Sequence, residues 1–329
     1  MFRLKFVVVF LLVSFGSKGQ ILSEKAKISV LTFGPGKEEL YAGFGHSAIR
    51  VYDPANNIDW AFNYGTFDFD QPNFYLNFTR GQLLYKLAVQ DFKRMKQYYE
   101  YFNRYILEQI VDLDSLQRQK VFDFLIDNAK PENADYYYDY FYNNCSTKIG
   151  DVFVAALGED FKFNENFVDE PGLTIRNLTD RLTADEFPWG KLGIDLCLGL
   201  PMDKQLTNLE YMFLPDYVHK AFNRAEVRKE SGWQNAVAED RILFNSVPST
   251  NTGTTFTPDL VFWMLFVVGL SLTIWSELKN ISLNWLDVFL FILIGLLGSL
   301  LTLLWLATDH KAAAWNMNIL WALPTHLLF

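Results

Sequence analysis

Apolar and polar residues change their spacing several times along the chain, and each change marks an element. Residues 27–33 (Lys-Ile-Ser-Val-Leu-Thr-Phe) predict a strand that ends at the turn Gly34-Pro35-Gly36. From His46 to Tyr52 the pattern alternates. His46, Ala48, Arg50 and Tyr52 fall on one face, and Ser47, Ile49 and Val51 on the other. Asp53-Pro54-Ala55-Asn56-Asn57 is a turn cluster, and residues 58–64 return as a second strand, so the two predict a hairpin. Residues 81–90 predict a further strand. Helical periodicity covers 91–107 and 114–129, the second opening with Asp114 as N-cap. Another helix is predicted over 145–157. The stretch 174–222 reads as helix and loop, broken at Phe187-Pro188-Trp189-Gly190 and at Leu214-Pro215-Asp216.

Both ends depart from this pattern. Residues 1–5 carry Arg3 and Lys5, 6–15 are apolar, and Gly16-Ser17-Lys18-Gly19 is small and polar, which are the three parts of a secretory signal. No Ala-x-Ala site is present, so an uncleaved signal anchor is the alternative, and in either case the residues after it are exported. Near the other end, residues 288–307 form a run of 20 residues without a charge. At 1.5 Å per residue such a run covers about 30 Å, the thickness of a bilayer core. Residues 260–275 form a second apolar segment, with Thr257 as cap, Pro258 in the first turn, and Trp263 and Trp275 as interface anchors. A buried helical hairpin is the competing reading of these two. A third apolar stretch, 312–329, is interrupted by Asn316, Asn318, Pro324 and His326 and stops without a polar flank, so it reads as the start of a third span in a truncated membrane domain.

The expected organisation is a signal over 1–19, an exported domain over 20–249, a polar linker over 250–257 and a membrane domain over 258–329. With the signal removed, the first span enters from the exported side, the loop 276–287 lies in the cytoplasm and the second span returns outward. Asp309 and His310 then reappear on the exported side, either facing a catalytic cleft there or serving as a polar helix end. The 329 residues are 50% hydrophobic, and the exported part alone is long enough to bury a core without disulfides. A net charge of −9 argues against a nucleic-acid partner. There is no phosphate-binding glycine loop and no Cys-x-x-Cys or His-Glu-x-x-His spacing, so neither cofactor nor metal is expected.

The candidate chemistry centres on Cys145 in Tyr142-Asn143-Asn144-Cys145-Ser146-Thr147. A thiol in the first turn of a helix feels the positive end of the macrodipole, which favours the thiolate. A nucleophilic cysteine also needs a base, and His46 opens the alternating strand. Asn63, in Phe62-Asn63-Tyr64-Gly65, is placed to hold the far nitrogen of the imidazole or to serve as a turn residue. The competing reading makes Cys145 a small buried thiol and His46 an unrelated imidazole. Cys197 either pairs with Cys145 or is buried between Leu196 and Leu198. The aromatic run 136–142 either lines an acyl groove or is core.

Histidine before cysteine is the order of the circularly permuted papain-like branch, which the chain resembles. That branch includes NlpC-type hydrolases and the lecithin:retinol acyltransferase group. Five segments carry a closer resemblance: residues 44–51 (Phe-Gly-His-Ser-Ala-Ile-Arg-Val), 63–67 (Asn-Tyr-Gly-Thr-Phe), 142–147, 174–176 (Thr-Ile-Arg) and 198–203 (Leu-Gly-Leu-Pro-Met-Asp). With Asp309-His310 and Asn318-Ile319-Leu320-Trp321 they resemble the Lnb family in their order. The resemblance implies an α+β exported domain of permuted papain-like, NlpC-type fold, followed by an α-helical membrane domain of several spans in the inner membrane, with the catalytic domain in the periplasm. It also implies a lipoprotein N-acyltransferase. A membrane phospholipid is the acyl donor, and the α-amine of a lipoprotein's N-terminal cysteine is the acceptor. Cys145 is the expected nucleophile, His46 the base and Asn63 its partner. Tyr41 is a candidate second oxyanion donor beside the Cys145 N–H, and Arg176 a candidate for the lipid phosphate, with an ordinary ion pair as its alternative. Two readings compete with the transferase: an envelope cysteine hydrolase of the NlpC type, and a non-catalytic membrane scaffold.

Overall fold

The computed structural model describes residues 20–247 and 256–328; the expected signal and most of the linker lie outside the described residues. In chain order the elements are β1 (Lys27–Phe33), β2 (His46–Asp53), β3 (Ile58–Thr66), α1 (Phe74–Thr79), β4 (Leu84–Asp91), α2 (Phe92–Tyr101), β5 (Ile106–Val111), α3 (Ser115–Asn128), β6 (Asp135–Tyr137) and α4 (Cys145–Leu157). They continue as β7 (Phe161–Lys162), α5 (Ile175–Thr183), α6 (Pro188–Cys197), α7 (Pro215–Phe222), β8 (Glu226–Lys229), β9 (Gly232–Asn235), β10 (Val237–Phe244), α8 (Pro258–Lys279) and α9 (Asn284–Leu306). Seven strands form one antiparallel sheet in the order β10-β5-β1-β2-β3-β4-β6, and β7-β8-β9 form a small second sheet. The fold is therefore mixed α and β in a sheet-rich first part, followed by two long apolar helices.

The central strands are apolar on both faces because helices cover both. Ile28, Val30, Ile49, Val51 and Phe62 join a core with Ile149, Val152 and Phe153 of α4, Phe122 of α3 and Phe222 of α7. Leu31, Phe33, Ala48 and Ala61, one residue out of step, join Phe92, Met95 and Tyr99 of α2 on the other side. The predicted β2–β3 hairpin forms in the register Ile49 opposite Phe62.

The stretch 91–107 does not stay helical. It ends at Tyr101, Asn103 takes a left-handed φ of 53°, and the chain enters β5. Apolar spacing alone did not announce β5, because Glu108 and Gln109 are buried within it. Glu108 accepts from Ser29, Arg50 and Arg241, so the buried carboxylate is fully partnered.

α8 and α9 are the two described helices long and apolar enough to cross a membrane. The stretch expected to begin a third span forms three 3₁₀ turns over Lys311–Ala313, Met317–Leu320 and Pro324–Leu328. It folds back on α9. A side chain at Gly298 would meet the Ala322 carbonyl at 1.9 Å, so only glycine admits that approach. Asn316 and Asn318, which interrupt the apolar pattern, donate to the Leu196 carbonyl of α6 at 2.7 and 3.2 Å. The Gly199 N–H donates to the Ala312 carbonyl at 2.8 Å. Asn316 and Asn318 are therefore anchors into the first domain.

Candidate functional site

The site is assembled around the first turn of α4. Asn144 is its N-cap: the side-chain Oδ1 accepts from the N–H groups of Ser146 and Thr147 at 2.9 and 3.0 Å, and Thr147 Oγ1 accepts from the Asn144 N–H in return. The Asn144 amide donates to the carbonyls of Tyr140 and Phe213, both at 2.8 Å, so the helix start is tied to two loops. The cap serves the second and third N–H groups of the helix. Among the described residues no acceptor is found for the N–H of Cys145 itself, which leaves it free for an incoming oxygen.

Alternation puts His46 on the face of β2 that carries Ala48 and Arg50, so a helix covering that face would bring Cys145 to it directly. α4 lies on the Ser47 face, where Ser47 Oγ sits 3.3 Å from Ser146 Oγ. His46 points to the α2 side, its ring nearly parallel to that of Tyr99 at 6.3 Å between centroids. Thiol and imidazole meet because β2 begins at His46, just after Gly45 at φ 79°, beside the start of α4. Extended to the strand ends, the β2–β3 register sets His46 opposite Gly65. Gly65 has φ 86°, and a side chain there would lie 3.5 Å from Cys145 Cβ and 3.4 Å from the Tyr138 ring. The strand backbone at Gly65 thus lies directly against the Cys145 side chain and the Tyr138 ring.

Cys145 is buried, and burial alone pushes its thiol up. The His46 charge and hydrogen bond, the Ser47 N–H and the Ser146 hydroxyl outweigh this and hold it below the ordinary thiol value. For His46, burial pulls downward, but the Cys145 charge and hydrogen bond and the Asn63 hydrogen bond hold it above the ordinary imidazole value. The two directions describe a thiolate–imidazolium pair. Asn63 Oδ1 lies 2.6 Å from His46 Nε2, so Nε2–H is engaged there and Nδ1 is the nitrogen left for the sulfur.

Other predicted residues are placed elsewhere. Tyr41 is 60% exposed on the 3₁₀ turn Leu40–Phe44. Arg176 is engaged with Asp195 at 2.8 Å, Asp203 at 2.7 Å and the Leu198 and Gly199 carbonyls, which is the ion-pair reading of that residue. The Asp309 N–H donates to the Arg80 carbonyl at 2.7 Å and its carboxylate accepts from Gln82 at 3.1 Å, while His310 packs on Gly81. Both lie on the side of the first domain, against the loop after α1. Cys145 and Cys197 are both free thiols.

Sequence reasoning left Tyr136 undecided. Its hydroxyl is buried without a hydrogen-bond partner of normal geometry and points to Gly65, 4.0 Å from where a side chain would be. Burial, followed by the Cys145 charge, pushes its pKa far up, so it stays a protonated donor. The one available signal was its place in the aromatic run just ahead of Asn144-Cys145.

Residues 18–181 match the family described as the Lnb N-terminal periplasmic domain, and residues 249–329 match the Lnb transmembrane domain. No curated protein and no solved structure matches the chain.

Proposed function

The chain belongs to the Lnb family, a membrane protein with a periplasmic domain, and on that premise we propose that it is a lipoprotein N-acyltransferase working through a Cys145 thioester on a permuted papain-like site. The observation that carries the reading is a buried thiol in the first turn of a capped helix with a free N–H, and an imidazole, held by Asn63 at 2.6 Å, that interacts with it; the thiol is held down and the imidazole up. A structural cysteine in an apolar core would be pushed up only, as Cys197 is.

In the proposed reaction the Cys145 thiolate adds to the carbonyl carbon of a phospholipid acyl ester. The oxyanion takes hydrogen bonds from the Cys145 N–H and the Tyr136 O–H. Tyr41, exposed, is the weaker candidate for the second donor. Collapse breaks the ester C–O bond, and the His46 Nδ1 proton goes to the departing alkoxide, giving a lysophospholipid and an acyl-thioester. The lipoprotein α-amine then adds to the thioester. An α-amino group with a pKa of roughly 7.7–8.0 is mostly protonated at neutral pH, so neutral His46 has a second task in taking its proton. Collapse breaks the C–S bond, forms the amide and restores the thiolate. Asn63 keeps the imidazole in the tautomer both steps need.

The test is mass spectrometry of the protein incubated with phospholipid alone and then with an N-terminal S-diacylglyceryl-cysteine peptide. One acyl mass on the Cys145 peptide, removed by neutral hydroxylamine and transferred to the peptide amine, is the expected result. Acylation of Ser146 or Ser47 moves the nucleophile, and release of free fatty acid with no acylated amine makes the protein a hydrolase.

A further inference from the structure

A second feature lies between this site and the spanning helices. α1 and the residues before it expose Phe69 (59%), Tyr75 (74%), Leu76 (49%) and Phe78 (40%), an apolar cluster that a water-facing domain does not leave open without use. Its position is fixed by the residues after α9. The Asp309–Arg80 and Gln82–Asp309 hydrogen bonds clasp the loop after α1, and Gly81, at φ 80°, has no room for a side chain because one would lie 2.7 Å from the His310 nitrogen. α9 ends at Leu306, so α1 sits at the level where that helix leaves the hydrocarbon. The clasp thus ties the exposed cluster to the residues that follow α9.

Aromatic rings connect this cluster to the thiol. Phe74 packs on Phe67 at 6.1 Å between centroids, Phe67 on Tyr85 at 5.2 Å, and Tyr85 stacks on Tyr138 at 4.5 Å. Tyr138 borders Gly65 beside Cys145. Burial keeps the two tyrosines neutral: Tyr85 is pushed up to about 12 and Tyr138 well above the ordinary phenol value. A row of packed, neutral aromatic rings therefore runs from α1 to the nucleophile, and an occupant of that row would have to displace rings along it.

Building on the proposed transferase reading, we propose that residues 67–78 rest in the leaflet facing the periplasmic domain and that the Phe74–Phe67–Tyr85–Tyr138 lane guides one acyl chain of a phospholipid from that leaflet to Cys145. The occupant is a lipid of the bilayer itself. The lane explains how a nucleophile on a domain outside the membrane reaches an ester buried at the headgroup boundary. It also gives the exposed rings of α1 the interfacial position that aromatic side chains favour.

The experiment uses the full chain in phospholipid vesicles. Tyr75→Asp/Leu76→Asp is expected to lower Cys145 acylation from vesicle phospholipid roughly tenfold or more, since two apolar anchors are exchanged for charges. Acylation by water-soluble p-nitrophenyl butyrate should stay at the wild-type rate. Equal loss on both substrates, or none on either, overturns the proposal. If wild-type Cys145 is acylated by neither substrate, the thioester reading fails, and contact with the leaflet is judged by a measurement that needs no chemistry. In a Cys145→Ser/Cys197→Ser background, an environment-sensitive dye on Tyr75→Cys should be quenched by doxyl-labelled phospholipid, and the same dye on Tyr101→Cys, 83% exposed on α2, should not. Equal quenching at the two positions overturns the membrane contact. For the lane, Tyr85→Trp is expected to shift donor preference towards shorter chains, and an unshifted chain-length profile removes Tyr85 from the path.

Discussion

Asn144 is where stability and catalysis separate most cleanly. Asn144→Ala removes the acceptor for two helix N–H groups, a cap worth about 1 kcal/mol. It also removes the donors to the Tyr140 and Phe213 carbonyls. The Phe213 contact is buried, and an orphaned buried carbonyl costs about 1–3 kcal/mol, whereas water reaches the Tyr140 carbonyl more easily. The expected loss is about 3 kcal/mol. For a domain of this size each kcal/mol lowers Tm by roughly 2–4 °C, so the domain should melt roughly 6–12 °C earlier. Asn144→Ser keeps the cap oxygen and loses only the two amide donors, so it should recover about 1 kcal/mol of that loss. Transfer activity should behave differently. Both variants untie the helix start from the Phe213 loop, and a misplacement of about 1 Å in a catalytic group costs on the order of 100-fold, so serine should recover little activity. The measurements are thermal unfolding of the full chain in detergent and the rate of Cys145 acylation. Melting of both variants within about 1 °C of wild type would refute the anchoring role of Asn144, and full activity of Asn144→Ser would show that the cap alone positions the sulfur.

Cys145→Ala and His46→Ala should each abolish acyl transfer, and the double variant should be no worse than either, because the two act as one unit. The pH dependence comes from the opposed shifts. The pKa of Cys145 lies below the ordinary 9.0, so its contribution to stability is complete above 9.0 and is lost as pH falls through the folded value. That of His46 lies above 6.5, so its contribution is complete below 6.5 and is lost as pH rises through the folded value. Alkylation by iodoacetamide should therefore persist below the ordinary thiol range, while acyl transfer, which also needs the His46 proton, should be bell-shaped; an alkylation profile centred on 9.0 in the native protein would contradict the pairing. Tyr136→Phe should lower acylation on the order of 100-fold with the thiolate titration little changed, as for loss of one oxyanion donor. Asn63→Asp, which keeps an acceptor at Nε2 and adds charge, should move the alkaline limb of the profile upward, whereas Asn63→Ala should lower activity and move that limb down; identical profiles would make Asn63 a turn residue.

What the sequence disclosed was what is local. The alternation from His46 to Tyr52, the turn after it and the start of α4 at Cys145 are all set by neighbours in the chain, and all appear where the pattern put them. The pairing of His46 with Cys145 was expected from residue chemistry, whereas period-two alternation only assigns faces and cannot see that β2 begins at His46, beside the start of α4. β5 was hidden by Glu108 and Gln109, whose burial depends on partners as distant as Arg241. Asn316 and Asn318 looked like flaws in a spanning helix because their acceptors lie on α6, more than a hundred residues away. Tyr136 gave no decision at all: a tyrosine in an aromatic run is ordinary core until its hydroxyl is seen to lack a partner.

The surroundings of Cys145 bear on why a transferase rather than a hydrolase is the better reading. A thioester waiting for an amine is lost if water arrives first, so the site gains from being dry. Dryness has a cost, because burial is the largest influence on the Cys145 thiol and acts against the thiolate. An open cysteine hydrolase can leave part of that stabilisation to solvent. Here His46, the Ser47 N–H and the Ser146 hydroxyl supply it from within, and the nearby phenols of Tyr136 and Tyr138 stay neutral because they are buried too. The opposed shifts of Cys145 and His46 balance the two charges at the centre against each other. At Gly65 the strand backbone packs directly on the Cys145 side chain and the Tyr138 ring. The side on which this domain is clasped to its membrane helices, at Asp309 and Arg80, is the one from which both a phospholipid and a lipid-anchored amine would come.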